Sequence, residues 1–201
     1  SPSLDNGSIA APYCDNRIVL GGDASEVNEH LGNLIRIFED AGFKLHDIEF
    51  ASKHSQALGK IIDGENLIVT PRLDRAQRLQ AAFKHLSSGI WVTGQQIEVL
   101  LGHFISEGLL VRESLSVPRA LYSFVTDSYY VAQPLWKSCV HEAEVIAGIM
   151  PMIRAPLDRP WSATVTATDA SPTGWGICET VRPVETVSEI GKWCERWRYR
   201  R

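Results

Sequence analysis

The sequence predicts an α+β protein, and three observations carry that expectation. Short apolar runs broken by turn-forming residues stand near both ends of the chain, in SIAAPYCDNRIVLG and WSATVTATDASPTGWGICE. Between residues 71 and 150 apolar residues recur instead at helical spacing, one face at a time. The Pro-rich RAPLDRP at 154–160 separates that helical stretch from the last strand-like runs. Three regions follow, at 1–70, 71–153 and 154–201.

The first region opens as a hairpin over 8–20, with Asp15-Asn16 as its tight turn. Gly21-Gly22 ends the second strand, and Asp23 or Ser25 caps a helix over 25–41. Val27, Leu31, Leu34, Ile35 and Phe38 share one face of that helix, and Gly42 stops it. The segments KLHDIEF, ALGKIID and ENLIVT read as short strands, with a turn at Asp63-Gly64.

From Pro71 the pattern is helical. RLDRAQRLQAAFKHL turns Leu73, Ala76, Leu79, Phe83 and Leu86 inward. Thr93 and Gln96 form a capping box, opening a helix with Ile97, Leu100, Leu101 and Phe104 on its stripe. Pro118 suits the first turn of a third helix, LYSFVTDSYYVA. SCVHEAEVIAGIM is a fourth, stopped at Pro151. After the Pro-rich break, WSATVTATDA and GWGICE predict a second hairpin. TVSEIGKWCERW predicts a last helix, capped by Thr186 and Glu189, with Val187, Ile190, Trp193 and Trp197 on one face. Two strands and one helix are too few to close a core.

A chain of 201 residues can bury a sizeable core. No apolar run approaches the roughly 18 residues of a membrane helix, so no membrane span is expected. SPSLDNGSIAAPY has neither a basic start nor a long apolar block, so no secretory signal is expected. Cys14, Cys139, Cys178 and Cys194 make no C-x-x-C pair, which argues against metal knuckles and redox motifs. Free thiols in a reducing intracellular compartment is the plain reading. The net charge of −4 is unevenly spread: 11 acidic and 5 basic residues precede residue 70, and 13 acidic and 15 basic residues follow. The tail ERWRYRR is a local basic patch on a chain that is not basic, which argues against strong autonomous nucleic-acid binding.

Two carboxylates occupy similar places, Asp15 in the first hairpin and Asp169 in the second. Two-metal nucleotidyl chemistry needs carboxylates on rigid strands around two Mg²⁺ ions roughly 4 Å apart. The competing reading of each is ordinary turn chemistry. Taken together, the two hairpins resemble parts of a retrotransposon-type reverse transcriptase. Tyr13-Cys14-Asp15-Asn16 resembles its Tyr-x-Asp-Asp hairpin. GFKLH and LGKIIDGENLIVTP are similar to the end of its palm and the primer-side hairpin. The stretch from LLGHFISEGLLVRESLSVPRALYSFV to PWSATVTATDASPTGWGICE resembles a thumb and connection leading into a ribonuclease H domain. The likeness is nearest to tyrosine-recombinase-type retroelements and their protist relatives.

The resemblance implies a palm-like hairpin and helix, a helical thumb/connection-like block, and an incomplete ribonuclease H-like hairpin and helix. It implies that Asp15 and Asp169 are catalytic metal ligands for Mg²⁺. Glu195 is the candidate for the second ribonuclease H carboxylate, with Glu189 behind it and an arginine-paired surface residue as the competing reading. The family's second hairpin Asp is Asn16 here, a weaker ligand for a hard cation. Arg72, Arg75, Arg78 and Lys84 are candidates for contact with duplex phosphate; their competing reading is a solvated helix face. The family's other carboxylates would lie before residue 1 and after residue 201, so the chain is expected to be a truncated piece, inactive alone. Two functional expectations follow. One is a segment of an RNA-directed DNA polymerase with ribonuclease H, acting on RNA/DNA hybrid. The other is a domesticated relic, a structural subunit whose protein partners in a large assembly cover the C-terminal Trp/Arg-rich segment. A non-catalytic RNA-binding module is a third expectation.

Overall fold

The computed structural model describes residues 8–13 and 16–191. The chain is α+β, with six α-helices and four small antiparallel sheets among the described residues. It divides into two compact units, Ser1–Leu157 and Asp158–Arg201.

The first unit opens with the hairpin β1 (Ile9–Tyr13) and β2 (Asn16–Leu20). Tyr13 pairs with Asn16, so Asn16 is the first residue of a strand and not part of the turn expected of it. Helix α1 (Ala24–Asp40) begins where Asp23 Oδ1 accepts the N–H groups of Ser25 and Glu26, at 2.8 and 3.0 Å. Those bonds satisfy two of the donors a helix start leaves open. Val27 is buried; Leu31, Leu34, Ile35 and Phe38 are half-buried. The Arg17 guanidinium lies 5.4 Å from the Phe38 ring centroid, joining hairpin to helix. Gly42, with φ 83°, supplies the left-handed residue that ends the helix.

KLHDIEF forms no strand. Asp47 sits at φ 53° in its middle, which breaks an extended run, and Asn28 on α1 holds the following chain by accepting the Ala51 N–H at 2.7 Å. A four-stranded antiparallel sheet follows, in the order β3 (His54–Ala57), β4 (Lys60–Asp63), β5 (Ile68–Pro71), β8 (Ala155–Pro156). Within ALGKIID, Leu58 and Gly59 form the two-residue turn between β3 and β4, both at positive φ. The Pro-rich break is thus partly structured: Ala155 and Pro156 pair with Val69 and Ile68. Pro156 is tolerated there because β8 is an edge strand.

The helices α2 (Leu73–Leu86), α3 (Gly94–Gly108), α4 (Arg119–Asp127) and α5 (Lys137–Ile149) enclose one core. Phe83, Ile97, Leu101, Phe104, Leu121, Phe124, Cys139 and Ile146 are buried at its centre. Phe83 and Phe104 meet edge to face, with ring centroids 5.9 Å apart. Leu79 and Leu86 are buried as expected, but Leu73 is the first residue of its helix and is 71 % exposed. Thr93 and Gln96 form the capping box. Helix α4 ends at Asp127, short of the expected span. The carbonyls just past its end turn to another helix: Gly94 N–H donates to Ser128 O at 2.7 Å and Gln95 N–H to Tyr129 O at 3.1 Å. The two-residue strands β6 (Trp91–Val92) and β7 (Gln133–Pro134) close that end. Beyond α5, Pro151 lies in a single 3-10 turn, Met150–Met152.

The second unit carries the hairpin β9 (Thr164–Ser171) and β10 (Gly174–Val181), then α6 (Val184–Gly191). Thr186 lies inside α6, not at its cap. The helix starts a turn earlier because Pro183 pre-sets the backbone and its carbonyl accepts the Val187 N–H. Trp161 packs against the bare backbone of Gly191. No described residue from 158 to 191 is buried.

Candidate nucleic-acid interface

The carboxylate expected at the second hairpin is on a strand. Asp169 stands two residues before the end of β9, opposite Gly176. With hydrogen as the cross-strand partner, nothing on β10 covers that carboxylate. Asp169 Oδ1 accepts the Ala170 N–H at 2.9 Å and is otherwise open. The turn is built by another residue: Ser171 Oγ donates to Gly174 O at 3.2 Å and accepts the Thr173 N–H at 3.4 Å. Asp169 therefore stands on the strand, before the turn. Asp169, Ala170, Ser171, Gly174, Trp175 and Gly176 line a shallow, open depression.

Mg²⁺ takes hard oxygen donors, and Asp169 is one of the right kind. Among the described residues no set of three His, Cys, Asp or Glu side chains is placed to hold a metal ion. Asp15 and Glu195 lie outside the described residues, as do Cys14, Cys194, Trp193 and Trp197. Glu189 is exposed on α6. Asp169 and Glu189 are thus the described candidates for Mg²⁺, and they form no set able to hold the ion.

Period 2 gives the hairpin two chemically distinct faces. Asp169, Gly176 and Cys178 fall on one. Trp175, Ile177 and Val181 fall on the other, and all three are well exposed. Cys178 is a free, exposed thiol.

The candidate phosphate contacts do not act as one row. Arg72 bridges Asp74 through Nε and Nη2, both at 3.1 Å, and Arg78 Nη2 reaches the same carboxylate at 2.9 Å. Partial desolvation pushes against ionisation of Asp74, but hydrogen bonding and charge from Arg72, with Arg78 behind it, hold its pKa below the usual value. Two exposed guanidinium groups on one carboxylate leave a local surplus of one positive charge. Arg75 turns inward instead, where Nε lies 2.9 Å from Glu107 Oε1. Lys84 is exposed. Arg72 and Arg78 thus meet on one surface carboxylate, while Arg75 is held by a buried one.

Sequence reasoning missed Glu107. It was one of several acidic residues between apolar positions, and only packing reveals that it is fully buried. The signal available was its place in the sequence: three residues after Phe104, it continues the buried stripe of α3.

Comparison with known proteins finds no matching family model, no similar curated protein and no similar solved structure.

Proposed function

We propose that this chain is the palm-to-ribonuclease-H segment of a retroelement reverse transcriptase, contributing hybrid-duplex contacts and, at Asp169, a metal-binding carboxylate. The observation that carries the reading is Asp169 itself. A strand-borne carboxylate faces a glycine across a hairpin, relieved of turn duty by Ser171. Rigid strand placement of an uncovered carboxylate is what two-metal phosphate chemistry requires. The sequence of elements supports it: a hairpin and helix, a small antiparallel sheet, a four-helix core, then a second carboxylate-bearing hairpin. Arg72 and Arg78 offer the backbone contact.

The test is binding of a fluorescent RNA/DNA hybrid to the 201-residue chain as salt is varied. Each phosphate contact adds about one unit to the salt slope. Arg72→Ala and Arg78→Ala are expected to weaken binding and lower that slope; Lys84→Ala changes it least. The same chain, given Mg²⁺, is expected to show neither primer extension nor hybrid cleavage. Cleavage that Asp169→Ala abolishes would establish activity in the chain itself. No binding at low salt, with the fold intact, would remove the reading.

A second reading rests on a different observation. The exposed face of Trp175, Ile177 and Val181 on a hairpin without buried residues fits a structural subunit whose partner covers it. The mass of the native particle, with its chains identified, separates the two. A salt-resistant stoichiometric complex favours the subunit; a single polypeptide bound to nucleic acid favours the polymerase.

A further inference from the structure

We infer that Glu107 is a positioning residue that fixes the β3–β4 hairpin tip, Leu58–Gly59, against the helical block. Its side chain is fully buried on α3, yet it meets two cations from two other elements. Lys60 comes from β4, 12 % exposed, and its ammonium binds Oε2. Arg75 comes from α2, 33 % exposed, with Nε 2.9 Å from Oε1 but out of hydrogen-bond alignment with it. One cation suffices to neutralise a carboxylate. Two, from a strand and a helix, make the carboxylate a junction between sheet and helices.

The surrounding geometry joins that junction to the hairpin tip. Lys60 is the first residue after the turn. Its Nζ also reaches Ser106 Oγ at 3.5 Å. Arg75 Nη1 lies 3.2 Å from where a β-carbon on Gly59 would stand, so glycine leaves room for the guanidinium over the turn. Arg75 Nη2 lies 3.3 Å from His103 Nδ1 on α3. Leu58 takes φ 51°, a left-handed conformation that disfavours a residue with a β-carbon. Such a residue persists where its surroundings over-determine it. Lys60 and Arg75, clamped on one carboxylate on either side of the tip, supply that constraint. A hydrophobic trio would give comparable stability; the ionic one fixes the direction of each partner, because it works only when all three meet.

The inference stands on geometry alone; its functional consequence rests on the proposed function, in which this hairpin is the primer-side segment. Hydrogen exchange on the 201-residue chain tests it. In Glu107→Gln, amides of residues 54–63 are expected to exchange about tenfold faster or more, while those of α5 keep their protection. Lys60→Met, which removes only the sheet-side partner, should give the same pattern if Glu107→Gln does not fold, and Lys60→Arg should restore protection. Unchanged exchange in 54–63, or equal acceleration in both regions, would overturn the positioning role. Hybrid binding by the same variants is read separately. Loosened hairpins with unchanged hybrid affinity would leave the positioning role and remove only its link to the duplex.

Discussion

Gly94 and Val125 approach so closely that a β-carbon on Gly94 would sit 2.5 Å from the Val125 carbonyl oxygen. The start of α3 lies directly on the backbone of α4, and the hydrogen bonds from Gly94 and Gln95 to Ser128 and Tyr129 depend on that contact. Gly94→Ala is therefore expected to destabilise the chain by about 1–3 kcal/mol, as overpacking does. Gly102 lies in the same helix with nothing within 4 Å of its would-be β-carbon. Gly102→Ala is expected to stabilise by about 0.5–1 kcal/mol. Urea unfolding of the two variants should move the midpoint in opposite directions.

Glu142 on α5 caps a neighbouring helix. Its two oxygens accept the Ala120 and Leu121 N–H groups, at 2.7 and 2.9 Å. Pro118, at the cap position of α4, has no side-chain acceptor to do this. Glu142→Ala is expected to cost about 1–2 kcal/mol, as the loss of a cap does. Loss of protection at Ala120 and Leu121 amides would locate the effect; unaltered protection there would refute it.

The two described cysteines should behave oppositely. Burial, and then the Glu142 charge, push the Cys139 thiol up to about 11, whereas Cys178 is exposed. In native protein iodoacetamide is expected to label Cys178 and spare Cys139, as read by peptide mapping. The raised thiol keeps its proton in the fold while the unfolded chain ionises near 9. Its contribution is present in full below pH 9 and fades as pH rises toward 11. The stability gap between wild type and Cys139→Ala should narrow across that window.

Arg75 and Arg78 stand three positions apart and should differ in kind. Arg75→Ala removes one of two cations from a buried carboxylate and is expected to cost about 1–3 kcal/mol. Arg78 is 77 % exposed on its side chain, and Arg78→Ala is expected to change stability by less than about 0.5 kcal/mol. Thermal unfolding checks both. Equal effects would contradict the inward placement of Arg75.

Helix signals carried furthest from sequence to structure. The capping residues Asp23 and Thr93 start helices as read, and Phe83, Ile97, Leu101 and Phe104 point inward as their spacing requires. These are local effects, set within one or two turns of chain. Two of the expectations that failed were non-local. KLHDIEF has the composition of a strand but finds no ladder partner, and Asp47 bends it. Ala155-Pro156 has the composition of a linker but pairs with β5. Asp169 was legible as a candidate because its type and surroundings are local; the glycine across from it was not.

The sequence by itself determined the α+β class, the helix faces, the two hairpins and the carboxylate at 169, because periodicity and capping act over a few residues. Only the tertiary structure decided which charges meet. It divided Arg72, Arg75 and Arg78, at the start of α2, between a surface carboxylate and a buried one, and it placed Lys60, Arg75 and Glu107 together from three separate elements. The physical reason is burial. A carboxylate withdrawn from water must find cations wherever the fold brings them, and residue types at distant positions do not specify that meeting until the chain has packed.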